Sequence, residues 1–286
     1  LRNQFTFSLL ESDTTDLVSI EAIGLEADRV KTDANNLVYR SFVRFFRYIG
    51  KTVPPVQITI QLGVPLSRGL GSSATAIVGG LVGANYLAGL PLATAEVLQL
   101  AIGIEGHPDN VVPALLGGCQ LAVAGPDGWE VCPVPWHNTV VPIVAVPEFE
   151  LSTAEARKVL PTHYSRSDAI FNIAHMGLLL QGLQTGTENW LRVALDDRLH
   201  QPYRKALIPG FDAVYRAALE AGAYGLVISG AGPTLLALAN LHQTNTVASA
   251  LAIAWRKAGI NAQVHTLALD PYGAVGQPST AAELPV

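Results

Sequence analysis

The chain has 286 residues with 18 Lys and Arg against 23 Asp and Glu, a formal charge of −5, and no basic block to meet phosphate backbones, which excludes nucleic acid as its main partner. Charged residues are 14% and hydrophobic residues 49% of the whole, which excludes intrinsic disorder. No charge-free apolar run reaches the ~18 residues of a membrane span, so no membrane partner is expected, and the length allows one large or two modest domains.

In chain order, residues 5–10 and 17–23 alternate like strands. Val38, Phe42, Phe45, Phe46 and Ile49 then recur at helical spacing behind candidate caps Asp33 and Asn36, and Pro54-Pro55 ends that helix. Val56, Ile58, Ile60 and Leu62 alternate with Gln57, Thr59 and Gln61, which predicts a strand with one buried face. A Gly/Ser-rich loop at 65–73 opens an Ala/Gly-rich helix to about Ala88, and another helix covers 93–104. Residues 119–123 and 141–146 read as strands on either side of a turn at 125–128.

The second half changes character. Helical patterns occupy 153–159, 167–184, 187–198 and 211–221, followed by a strand (224–229), a Gly-Pro loop, a strand (234–239), a helix (243–258) and a strand (261–268). That shift places a boundary between Pro147 and Ser152, giving units 1–150 and 151–286, the second ending in a loose tail from about Asp270. Cys119 and Cys132 carry no disulfide or metal spacing and the seven His are scattered, which predicts a reduced cytoplasmic protein with no zinc site.

The segment Pro65-Leu66-Ser67-Arg68-Gly69-Leu70-Gly71-Ser72-Ser73-Ala74-Thr75 is the most informative. Its glycines let the backbone turn tightly and approach a ligand, and its serines fall where the next helix begins. Hydroxyls and free N–H groups there converge on a positive helix end suited to phosphate. A Walker loop fails because the loop holds no Lys. Gly69-x-Gly71-x-x-Ala74 fits the loose dinucleotide pattern, but Pro91-Leu92-Ala93, about twenty residues on, holds no strand ending in an acid. A plain strand-to-helix turn with a Ser cap stays open.

The run Pro-x3-Gly-Leu-Gly-Ser-Ser-Ala from Pro65 resembles the phosphate loop of the GHMP kinases, ATP-dependent enzymes unrelated to Walker folds. Ile104-Glu105-Gly106-His107-Pro108-Asp109-Asn110-Val111 with 113–118 resembles the homoserine kinase version of the segment after the loop helix. Gly222-Ala223-Tyr224-Gly225 and Ser229-Gly230-Ala231-Gly232-Pro233-Thr234 are similar to the family's third motif, a glycine-rich turn near the nucleotide phosphates. The resemblance implies a two-domain α+β architecture, with an N-terminal ribosomal-protein-like βαβ domain and a C-terminal ferredoxin-like domain. It also implies phosphorylation of L-homoserine by ATP with Mg2+, a step in threonine biosynthesis. A GHMP kinase for another small alcohol and an ATP-binding relative impaired in catalysis are the alternatives, and a homodimer is left open.

The resemblance assigns ATP to Pro65, Leu66, Ser67, Arg68, Gly69, Leu70, Gly71, Ser72, Ser73, Ala74 and Thr75, with Ser229, Gly230, Ala231 and Gly232 as the third-motif loop. It assigns Mg2+ to Glu105 and a loop serine, Ser73 preferred over Ser72. Asn36, in Asn36-Leu37-Val38-Tyr39, is given both an adenine role and that of a plain N-cap. Asn110, Arg157 and Arg204 are expected at the substrate, since a carboxylate calls for the planar guanidinium fork, and Thr153 at the acceptor hydroxyl. Arg198 is the runner-up to Arg204. Asp109 reads equally as a base or as a helix cap, and His107 as structural or functional. No residue stands out as a catalytic base, so catalysis by positioning and electrostatics is expected, with no covalent intermediate.

In the homoserine kinase family a segment of the type Pro-Ala-Thr-(Thr/Ser)-Ala-Asn-Leu-Gly-Pro-Gly-Phe-Asp precedes the point where this chain starts at Leu1. By resemblance it supplies a central strand and an Asn and an Asp for the substrate. The expectation is that the chain as written lacks them, and folds poorly or phosphorylates homoserine weakly unless the segment exists upstream.

Overall fold

A computed structural model describes residues 1–11, 16–126 and 128–278. They fall into two units: Leu1–Pro65 with Gly71–Cys132 and the described residues from Asp270, and Leu66–Leu70 with Pro133–Leu269.

The first unit opens with β1 (Gln4–Leu9) and β2 (Val18–Gly24), then helix α1 (Leu37–Tyr48) and β3 (Val56–Leu62). The sheet order is β1-β3-β2, with β1 antiparallel and β2 parallel to β3. The expected alternation holds on β3, whose Val56, Ile58, Ile60 and Leu62 are buried while Gln57 and Gln61 are exposed. Helices α2 (Ser72–Leu87), α3 (Thr94–Glu105) and α4 (Val111–Leu116) follow, then a hairpin of β4 (Cys119–Gly125) and β5 (Gly128–Val134). Asp127, in the expected turn, lies outside the described residues. Strand β5 is not apparent in the sequence because polar positions and Pro133 dilute its alternation.

The glycines of α2 are places where neighbours touch its backbone. A Cβ on Gly79 would strike the ring of Phe5, one on Gly83 the ring of Phe7, and one on Gly80 the carbonyl of Val38. Those contacts set α2 directly on β1 and α1. Phe7 also stacks on Phe42 at 5.8 Å, and Phe42 meets Phe46 at 4.9 Å. Residues 270–278 are not the loose tail expected from their composition. Asp270 O accepts from Gly118 N at 2.7 Å, Ala274 N donates to Leu115 O at 3.2 Å and Tyr86 Oη donates to Gly276 O at 2.6 Å. These are mostly backbone bonds, which leave no side-chain pattern to read.

The second unit holds β6 (Val140–Pro147), α5 (Thr153–Lys158), α6 (Arg166–Thr185), α7 (Glu188–Ala194), α8 (Gln201–Arg204), α9 (Phe211–Glu220), β7 (Gly225–Ile228), β8 (Leu235–Asn240), α10 (Thr244–Lys257) and β9 (Ala262–Thr266). Its antiparallel sheet runs β7-β8-β6-β9. With α9 before β7 and α10 before β9, this is a split βαβ plan whose first strand lies between the third and the last, the ferredoxin-like arrangement. Its core centres on the fully buried Trp255 with Ile143, Leu226, Leu235, Val214 and Leu251. Because β6 pairs with β8 and β9, the division of the chain falls at Cys132/Pro133 and not between 147 and 152. Among the described residues no helix is long and apolar enough to cross a membrane.

Candidate active site

In the first unit, the loop reaches α2 through Gly71, which sits in the left-handed region at φ 70° as the N-cap residue. No side chain caps this 16-residue helix, so its first N–H groups are left to an incoming anion. Ser73 Oγ donates to Glu105 Oε1 at 2.9 Å, joining the start of α2 to the end of α3. The two oxygens assigned to a metal are thus brought together from positions 32 residues apart. A hydroxyl and a carboxylate suit Mg2+, a hard cation that takes one or two protein oxygens and completes its shell with phosphates and water. Among the described residues no group of three or more His, Cys, Asp and Glu gathers to hold a metal alone.

Asn110 lies against the same turn. A Cβ on Gly71 would stand 3.2 Å from its Oδ1. Asn110 occupies the N-cap position of α4 in helical geometry and its side chain makes no capping bond. Asp109 does not cap this helix either; its side chain is 77% exposed. His107 Nδ1 is buried without a hydrogen-bond partner, and Asp109 Oδ2 stands 4.0 Å from it.

Two residues assigned to ATP are engaged in the frame. Asn36 is buried; its Oδ1 accepts from Val38 N at 2.8 Å and its Nδ2 donates to Lys31 O at 2.6 Å. The amide oxygen caps α1 and the amide nitrogen holds the preceding turn at Lys31, which favours the N-cap reading over the adenine one. Thr75 Oγ1 donates to Ser72 O and accepts from Asn3 Nδ2, each at 2.8 Å, and so faces the loop's own backbone.

In the second unit, Arg68 is also not free for a nucleotide. Its guanidinium is buried and donates to Pro147 O at 3.1 Å, Leu66 O at 2.7 Å and Glu148 O at 2.7 Å, and pairs with Glu150 at 3.1 Å. It fastens the loop to the end of β6. Gly69 rests on the third-motif loop, where a Cβ would collide with Ser229 O. Ser229 Oγ donates to Gly69 O at 2.9 Å and Gly232 N donates to Ser229 O at 2.9 Å. The first and third motifs therefore meet through backbone, which explains why both need glycine.

Arg204, at the end of α8, donates from Nε to Ala156 O at 3.2 Å and from Nη1 to Gly230 O at 3.0 Å. It is thereby held beside Arg157, one residue further along α5. Burial is the main influence lowering its pKa, and the Arg157 charge pushes the same way. Two guanidinium groups near each other are a natural receptor for an anion. Thr153 is the exposed first residue of α5, whose start is fixed by a capping box in which Ser152 Oγ accepts from Glu155 N at 3.1 Å. Arg198, the runner-up, instead lies 3.8 Å over the Phe171 ring and 3.7 Å from Asp168.

Sequence reasoning missed Asp197. Its carboxylate accepts from Leu199 N (2.8 Å), His200 N (2.9 Å), Gln201 N (2.6 Å) and Asn172 Nδ2 (2.6 Å). Gln201 Oε1 in turn accepts from Ile228 N at 3.1 Å, immediately before Ser229. Burial pushes the Asp197 carboxyl up, but its bonds from His200, Gln201, Asn172 and Leu199 together hold it well below the usual carboxylate range. The one available sign is an acid four residues before the short helix α8, and that is common on any surface.

Comparison with known proteins gives the family. The profile described as GHMP kinases N terminal domain matches residues 36–118, and that described as GHMP kinases C terminal matches 179–257. Homoserine kinase of Trichormus variabilis is 65% identical over 272 residues, 95% of this chain and 89% of that protein. Homoserine kinase of Nostoc punctiforme is 61% identical over 274 residues, 96% and 89% of the two chains. The crystal structure of homoserine kinase from Cytophaga hutchinsonii superposes with a TM-score of 0.85 at 30% identity, over 95% of this chain and 87% of that one.

Proposed function

The chain belongs to the homoserine kinases within the GHMP kinase family, and from that premise we propose that it transfers the γ-phosphoryl group of ATP to the side-chain hydroxyl of L-homoserine. The product, O-phospho-L-homoserine, lies on the way to threonine. The observation that supports the site reading most directly is the Ser73–Glu105 pair at 2.9 Å, on a helix start that no side chain caps.

Roles divide by residue. The N–H groups from Ser72 to Ala74 receive ATP phosphate oxygens, with Gly69 and Gly71 providing the close backbone approach. Ser73 and Glu105 would hold Mg2+, which would supply neutralisation of charge on the phosphates. Arg157 and Arg204 take the substrate carboxylate, Asn110 offers an amide to the amino acid, and Thr153 orients the acceptor hydroxyl. Leu66, Ser67, Leu70 and Thr75 shape the phosphate loop, and Ser229–Gly232 hold it in place. No general base is required, since a loose transition state asks for only late loss of the alcohol proton. We place the reaction in the cytoplasm, where Cys119 and Cys132 stay reduced.

Coupled detection of ADP across a panel of small alcohols tests this. Turnover with L-homoserine in excess of every other alcohol, and O-phosphohomoserine in the 31P spectrum, is the expected result. Preference for a different alcohol would replace the substrate, and ATP binding without turnover at saturating homoserine would replace the enzyme by a binding protein.

A further inference from the structure

We infer that Asn3 is a positioning residue for the phosphate loop, holding its entrance and its exit with a single amide. Asn3 Oδ1 accepts from Gly63 N and Val64 N, each at 2.9 Å, just after β3 and just before the loop starts at Pro65. Asn3 Nδ2 donates to Thr75 Oγ1 at 2.8 Å, in the first turn of α2, just after the loop ends at Gly71. Thr75 Oγ1 in turn donates a hydrogen bond to Ser72 O at 2.8 Å. Every donor and acceptor of the Asn3 side chain other than one N–H is thereby accounted for within the first unit. The reach of the amide is fixed as well: Gly63 lies so close to Arg2 O that a Cβ there would collide with it, and Gln4 pairs with Gln61 on β3, so the backbone on both sides of Asn3 is set against the end of β3.

The chemistry of the loop makes this linkage matter. A phosphate cradle made of backbone N–H groups has no side chain to adjust, so its affinity depends on the angle at which the chain enters and leaves. Asn3 sets both angles, and Asp cannot replace it, because a carboxylate keeps the two acceptor contacts and loses the donor to Thr75. Thr75 is the other half of the link. Its hydroxyl both accepts the hydrogen bond from Asn3 Nδ2 and donates one to the first carbonyl of α2, whereas its methyl alone would do neither.

This rests on the reading of the loop as the ATP cradle, and the test separates the two. ATP affinity is measured directly by calorimetry, and KM for ATP and for homoserine by steady-state kinetics, on Asn3→Ala, Asn3→Asp, Thr75→Val, Thr75→Ser and the double variant. Asn3→Ala, Asn3→Asp and Thr75→Val should each weaken ATP about tenfold while homoserine KM stays within about twofold. The double variant should lose about as much as either single one, and Thr75→Ser, which keeps the hydroxyl, should restore wild-type binding. Unchanged ATP affinity in Thr75→Val, equal losses for both substrates, or full additivity in the double variant would overturn the inference. Should Asn3→Ala fail to fold, Thr75→Val against Thr75→Ser still decides it. A wild-type chain that does not bind ATP would instead overturn the reading of the loop.

Discussion

The phosphate site proposed in the first unit and the substrate site proposed in the second are built on opposite principles. The site proposed at the start of α2 uses backbone N–H donors that no side chain caps, and glycines make room for them. The substrate site proposed around α5 and α8 uses long cationic side chains, Arg157 and Arg204, the second of them held by the carbonyls of Ala156 and Gly230 on a segment that the Asp197 carboxylate anchors at Gln201 N. A backbone site is hard to adjust by substitution but tolerates changes in the side chains around it. A side-chain site is lost one hydrogen bond at a time, and its supports matter as much as its contacts.

The largest effect should come from Gly71→Val. The left-handed φ of 70° is costly for a β-branched residue, and its Cβ would press on Asn110 at 3.2 Å. Loss of ATP binding by a factor of 100 or more, roughly 3 kcal/mol, is expected in calorimetry, with the fold retained by circular dichroism. Wild-type affinity in this variant would sink the backbone-site idea.

Glu105→Gln comes next. It keeps the shape and removes the charge opposite Ser73, so kcat should fall on the order of 10²-fold while the Mg2+ concentration needed for half-activity rises. An unchanged Mg2+ titration would argue against the metal role of this pair. Arg204→Ala sharpens the contrast from the other side: homoserine KM should rise about tenfold or more while ATP KM holds, in line with ~1.5–3 kcal/mol for a charged hydrogen bond. The same variant leaves Gly230 O without its partner, so a parallel rise in ATP KM would show that the arginine acts through the third motif.

Asp197 gives a pH-dependent version of the same test. Its folded pKa lies below the unfolded value of about 4, so its contribution to stability is fully present above that value and is lost as pH falls toward the folded one. The melting temperature should therefore fall more steeply between pH 5 and pH 3, roughly the range below the carboxylate's ordinary value, in wild type than in Asp197→Asn. Homoserine KM should rise in Asp197→Asn at neutral pH, because the segment carrying Arg204 loses its anchor. Smallest is Asn36→Ala, expected to cost about 1 kcal/mol of stability through the lost cap of α1 and to leave both KM values alone. A selective rise in ATP KM would restore the adenine role to Asn36.

The same contrast explains what could be read from the sequence. The start and end of β3, the glycine loop and the helix after it are local patterns, and their positions in the structure fall within a residue or two of expectation. Ser73 and Glu105 were paired by resemblance, and the fold supplies the reason, since α2 and α3 bring their ends together. Arg68 was assigned to ATP because it sits inside the motif, yet the carbonyls that claim it lie 79 and 80 residues away at Pro147 and Glu148. The membership of β6 was hidden for the same reason: its partners, β8 and β9, follow it by most of a domain. Asn3 and Asp197 are ordinary polar residues whose meaning lies entirely in what the folded chain places around them.

The strap at 270–278 has a consequence for how the protein is made. The first unit draws on segments before residue 133 and again from residue 270, with nearly all of the second unit threaded between them. On a ribosome advancing at roughly 5–20 residues per second, on the order of ten seconds separate the emergence of Leu115 and Gly118 from that of the Asp270 and Ala274 groups that bind them. During that interval the end of α4 waits with open backbone groups while the ferredoxin-like unit is synthesised. Closure of the end of α4 thus waits for residues 270–274, so a nascent chain stalled before residue 270 would hold α2 and α4 already made and their unit still open at Leu115 and Gly118.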